Sequence, residues 1–150
     1  MMMCTASWLI AWNPFQKVPS FDYSGSKELV EKIGPMLKSK DAVLVADPAL
    51  RYMSVSAILD IVLFDPRGDR FYPYPFFKQS DYKMTFDQWC GFYGGKLSSK
   101  FPGKKVFFGL KKGFDPPAAC GPWRLVFQST RTNPKYSPGG EDFVVYQALQ

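Results

Sequence analysis

Six lysines stand together without an acidic neighbour. Lys96, Lys100, Lys104, Lys105, Lys111 and Lys112 fall between Asp87 and Asp115, and no Asp or Glu interrupts them. They equal the entire formal net charge of +6, so the rest of the chain balances to zero. Trp89, Phe92, Tyr93, Phe101, Phe107, Phe108 and Phe114 are interleaved with them. Ammonium groups beside flat rings are what a phosphate backbone with stacked bases requires. An acidic protein surface or an anionic headgroup requires the same lysines. The bland alternative is that lysines at strand ends keep a Phe-rich element soluble. The two readings separate on geometry: a partner site forms only if the fold brings both lysine pairs onto one face.

Carboxylates are the other candidates. Asp47 and Asp65 each follow an apolar run, where open α/β sheets and barrels place ligand sites. Each also precedes a proline, a turn-forming arrangement. FYPYPFF, Phe71 to Phe77, with Tyr72 and Tyr74, would serve as a sugar or peptide platform or as an edge strand. The chain has no histidine, which removes the commonest general base and metal ligand and every Ser–His or Cys–His nucleophile pair. Gly94-Gly95 and Gly139-Gly140 lack phosphate-loop spacing. Cys4, Cys90 and Cys120 lack zinc-site spacing, and an odd count argues against a disulfide framework. Buried reduced thiols are expected, with one disulfide and a spare thiol as the alternative. This favours an intracellular, reducing compartment, the cytoplasm or an organelle matrix. No cofactor or metal is implied, and no membrane span of its own: the apolar stretch around Trp8, Leu9, Ile10 and Trp12 is too short.

The elements that must position these groups are legible. At 46% hydrophobic and 21% charged, 150 residues suit one globular domain rather than a disordered chain. Residues 1–24 form an N-terminal arm or a first strand, and 25–150 a single α/β domain. From Ser26 to Lys40, Leu29, Val30, Ile33, Met36 and Leu37 recur at helical spacing, with Pro35 ending or kinking the helix. DAVLVAD, LDIVLFDP and KKVFFGL read as buried strands, and residues 50–59 as a short helix. Thr85 and Gln88 form a capping box for a helix carrying Trp89 and Phe92. WRLVFQSTRT is ambiguous between strand and helix, TNPKYSPGG is a turn region, and DFVVYQAL is a terminal strand. The rhythm predicts a short, mostly parallel or mixed sheet flanked by helices.

VLVADPA, ILDIVLFD, FDQWC, GKKVFFGL, PPAACGPW and NPKYSPGGEDFVVY occur in that order. The succession resembles the C-terminal half of plant-type family-18 glycoside hydrolases, the chitinase-like (β/α)8 barrels, over about residues 26–146. The resemblance implies half of a barrel and a sugar ligand. The family's Asp-x-Asp-x-Glu run is absent; SFDYSG keeps Asp22 without the following Glu. A hydrolase using the substrate's acetamido group needs that acid, so the resemblance implies a catalytically silent relative.

Three functions are therefore in view. The first is a non-catalytic accessory subunit docking on a larger protein or ribonucleoprotein assembly, through RNA or another polyanion where that is the partner. Its surface would be Lys96, Lys100, Lys104, Lys105, Lys111, Lys112, Trp89 and Tyr93. The second is a silent sugar-binding domain using Asp47, Asp65, Tyr72 and Tyr74. The third is the soluble domain of a membrane-attached glycosyltransferase.

Overall fold

The computed structural model describes residues 25–72, 85–92, 100–130 and 142–149. Within them the chain builds a six-stranded mixed sheet flanked by helices, a single α/β domain. The N-terminal arm, Tyr74, Tyr93, Lys96, Cys4 and all of TNPKYSPGG lie outside the described residues.

Helix α1 spans Gly25–Leu37. Leu29, Ile33 and Leu37, four residues apart, are its buried stripe. Met36, expected on that stripe, is 40% exposed. Pro35 lies within the helix, which ends two residues later, short of Lys40. Strand β1 follows, Ala42–Asp47, and then a 3₁₀ turn, Ala49–Tyr52, which leads into helix α2, Met53–Leu59.

The run LDIVLFDP is divided rather than forming one strand. Leu59 closes α2, and Asp60 takes a left-handed conformation with φ of 53°. Ile61 N–H donates to the Ser56 carbonyl, so the helix end claims the first half of the run. Only Leu63–Asp65 remains for β2. Strand β3, Arg70–Tyr72, returns antiparallel at the sheet's edge and includes the start of FYPYPFF. Helix α3, Phe86–Phe92, opens on the expected capping box. Gln88 N–H donates to Thr85 Oγ1 at 3.2 Å, and Thr85 N–H to Gln88 Oε1 at 2.9 Å. Strand β4 is Lys105–Lys111, β5 Trp123–Gln128 and β6 Phe143–Ala148. Pairing with β6 settles WRLVFQ, the first part of the ambiguous WRLVFQSTRT segment, as a strand, with an irregularity between Leu125 and Phe127.

The order is β3-β2-β1-β4-β6-β5. β1 pairs in parallel with β2 and β4, and the other neighbours are antiparallel. In the half-barrel that the resemblance implies, β2 would lie between β1 and β4; here β1 lies between β2 and β4.

Burial on two faces explains why the strand sequences do not alternate. Leu44, Ala46 and Phe107 join α1 and α2 in one core layer. Val43, Val45, Val106, Phe108 and Leu110 join α3 in the other. The second layer is ring-rich: Phe64 meets Phe101 edge-on at 5.0 Å, and Phe86 stacks on Trp89 at 6.0 Å. Fully burying one such side chain stabilises by about 1.5–3 kcal/mol.

The second layer also joins Cys90 of α3 to Cys120 in a disulfide. This corrects the expectation of reduced thiols for these two: both are buried, and they are bonded. Their separation of 30 residues hid the pairing, because only packing of α3 and the 3₁₀ turn Ala118–Cys120 on one sheet face brings them together.

Candidate functional site

Chain direction creates the site. From β1 the chain crosses to β2 through α2 on one face of the sheet. It enters β4, on the other side of β1, through α3 on the opposite face. At their carboxyl ends the chain leaves β1 toward β2 and leaves β4 toward β5 on the other side, and this divergence opens a crevice there, the usual ligand position in open α/β sheets. A cavity of about 310 Å³ lies there. Its residues come from the end of β1 (Asp47), the turn after it (Arg51), the turn after β2 (Arg67), the start of α3 (Phe86, Asp87), and the end of β4 with its following loop (Lys111, Phe114, Asp115).

Arg67 grips Asp47 with Nε at 2.6 Å from Oδ1 and Nη2 at 3.3 Å from Oδ2. The pair ties the turn after β2 to the end of β1. Asp115 accepts a hydrogen bond from the Tyr146 hydroxyl. Burial and then this carboxylate push the Tyr146 phenol up to about 12, so it stays a donor at neutral pH. Among the described residues three carboxylates (Asp47, Asp87, Asp115) line it beside three cations (Arg51, Arg67, Lys111), so their charges balance. Phe114, 60% exposed, adds a ring that is largely open to solvent.

Tyr52 stiffens the floor. Its ring is fully buried, and its hydroxyl lies 2.9 Å from the Leu110 carbonyl and 2.8 Å from that of Val144. Burial raises its pKa well above the ordinary tyrosine value. Clamping those carbonyls fixes the ends of β4 and β6 beside the crevice.

Asp65 does not line the crevice. It is buried and accepts a hydrogen bond from Arg67 N–H at 3.0 Å, the turn-forming role. Burial raises its pKa above the usual 3.8. Tyr72 takes its place in β3 opposite Leu63.

The lysines part company. Lys105 and Lys111 terminate the same strand, six steps apart, which is about 20 Å. Lys104 and Lys105 stand at the amino end of β4: Lys104 Nζ donates to the Lys40 carbonyl at 2.8 Å, and Lys105 Nζ is 3.0 Å from Asp41. Lys111 and Lys112 stand at the carboxyl end. Lys100 is elsewhere again, 2.7 Å from Asp69 and 5.2 Å above the Phe64 ring. Trp89 is fully buried and presents no ring to a partner. The described lysines therefore form separate local groups, each belonging to its own end or face of the sheet.

Sequence reading missed Arg51, Arg67, Asp87 and Asp115 as crevice residues. Their one common signal was position: each lies in a turn, a loop or the first turn of a helix beside the carboxyl ends of the parallel strands. No known family model matches the chain, and no curated protein or solved structure matches it either.

Proposed function

We propose that this chain is a non-catalytic sugar-binding domain whose ligand lies in the crevice between the carboxyl ends of β1 and β4. The observation that carries the reading is the lining itself: balanced charge beside an exposed ring. Carboxylates and guanidinium groups bind hydroxyl and amide groups from both sides of a hydrogen bond. A sugar's apolar face packs on a ring such as Phe114, while an anion gains no net attraction from three cations matched by three carboxylates. Asp47, at the end of β1, and Leu110, near the end of β4, line this crevice. The volume is at the small end of the ligand-site range, room for about one sugar ring. The absent acidic run and the lack of histidine favour binding without turnover.

The test is an NMR titration with N-acetylglucosamine and its short oligomers. A ring of about fifteen heavy atoms at about 0.3 kcal/mol each gives about 4.5 kcal/mol, a Kd near 1 mM. Phe114→Ala and Asp47→Asn should each weaken binding about tenfold. Absence of saturable shifts at about 10 mM ligand, or binding indifferent to both substitutions, would sink the reading.

A further inference from the structure

The opposite ends of the parallel strands hold a second groove, of about 290 Å³. Leu37, at the end of α1, and Ala42, at the start of β1, contribute one side. Ile61, Val62 and Phe71 contribute the other, and Val62 and Phe71 are 50% and 52% exposed. Apolar groups left half in water beside an edge strand are a cost that a partner's apolar side chains would remove.

The rim is cationic. Lys38 and Lys104 line the groove itself. The bond from Lys104 Nζ to the Lys40 carbonyl draws the turn 38–41 against the start of β4, which brings Lys40 and Lys105 to the same end. Among the described residues the four lysines there stand against Asp41 and against Asp60, which directly precedes Ile61, a local excess of two positive charges. The Asp41 carboxylate is held down to about 2, first by the Ser39 hydroxyl and then by Lys105, so it stays ionised beside them.

We propose that this groove docks an apolar segment of a partner protein flanked by acidic residues. The apolar walls take one or two side chains, and the lysine rim meets the flanking carboxylates. Complementary charge speeds encounter and fixes register, while the apolar anchors hold the bound state. A nucleic acid fits less well: among the described residues the walls are mainly aliphatic, with Phe71 the one ring lining the slot, and stacking needs open rings. Two ends of one sheet then serve two partners: a small ligand at the carboxyl ends and a protein at the amino ends.

The probe is a fluorescein-labelled ten-residue peptide with Leu-Leu-Phe at its centre and glutamates on both sides, followed by anisotropy. A control peptide carries lysines in place of the glutamates, and a labelled twenty-nucleotide single-stranded RNA is the competing ligand. The glutamate peptide should bind saturably, and the lysine peptide should not. Val62→Asp and the double variant Lys38→Glu, Lys104→Glu should each weaken binding at least tenfold. Circular dichroism should show both variants folded, since all three positions are at the surface or its margin. No binding at about 100 μM protein overturns the proposal. So does binding that survives both variants, or tighter binding of the RNA at the same lysines.

Discussion

Replacing Gly109 by alanine drives a methyl group into the ring of Tyr52. A Cβ on Gly109 would lie 2.6, 2.7 and 3.0 Å from Cζ, Cε1 and Cε2 of that ring. Ordinary carbon contacts are about 3.5–4.0 Å, so the ring must retreat by about 1 Å. It has no room to do so. It is fully buried, meets Phe143 edge-on at 5.0 Å, and is fastened by its hydroxyl to the Leu110 and Val144 carbonyls. Overpacking of this kind costs about 1–3 kcal/mol, and losing the hydroxyl's bonds adds about 1 kcal/mol. The total, about 2–4 kcal/mol, is a large share of the roughly 5–15 kcal/mol available to such a domain. In urea, with a slope of about 2 kcal/mol/M, the midpoint should fall by about 1–2 M at unchanged slope. The same change in a Tyr52→Ala background should cost under about 0.5 kcal/mol, because the obstructing ring is gone. A Gly109→Ala midpoint within about 0.2 M of the parent, or equal costs in both backgrounds, would refute the argument. Since Tyr52 follows Arg51 and clamps Leu110, the variant should also weaken any ligand held in the crevice.

Other outcomes follow from the same contacts. Glu28 is buried and accepts from Thr130 N–H at 3.0 Å, Thr130 Oγ1 at 2.7 Å and Lys32 Nζ at 2.9 Å, so it ties α1 to the end of β5. Glu28→Ala should cost about 1.5–3 kcal/mol in urea unfolding. Thr85→Ala removes the α3 cap and should cost about 1 kcal/mol by the same measurement, with Thr85→Ser largely restoring it. Reducing the Cys90–Cys120 bond releases a loop of 30 residues and should cost about 3–4 kcal/mol, while peptide mapping without reductant should recover the two cysteines linked. Two carboxylates should titrate with opposite sign. Asp41, lowered to about 2, stabilises the fold above the usual 3.8 and loses that contribution as pH falls through about 2, so Asp41→Asn should melt lower than the parent near neutrality and converge with it in acid. Asp65, raised by burial, destabilises the fold when ionised, so Asp65→Asn should melt higher at pH 7, the gap closing as pH falls through its raised pKa. Melting curves for both variants between about pH 2 and pH 7 check both signs.

Several signals confined to neighbours along the chain were legible in the amino-acid order alone. The four-residue spacing of Leu29, Ile33 and Leu37 defines a helix face, and Thr85 with Gln88 defines a helix start. VLVA and VFF, apolar at every position, announce strands covered on both sides. Those facts rest on sterics and hydrophobic periodicity over a few residues, which act in the same way in any compact fold. The division of LDIVLFDP was less legible, because a helix end and a strand start compete for the same apolar residues.

Only the tertiary structure decided which strands are neighbours. Placing β1 between β2 and β4 opens the crevice at one end, and running β4 through the centre of the sheet sends Lys104 and Lys105 one way and Lys111 and Lys112 the other. The same packing joins Cys90 to Cys120 and sets Tyr52 against Gly109, two residues 57 positions apart. Pairing choices of this kind depend on small differences among many long-range contacts, each carrying a loop-closure entropy that no local pattern records.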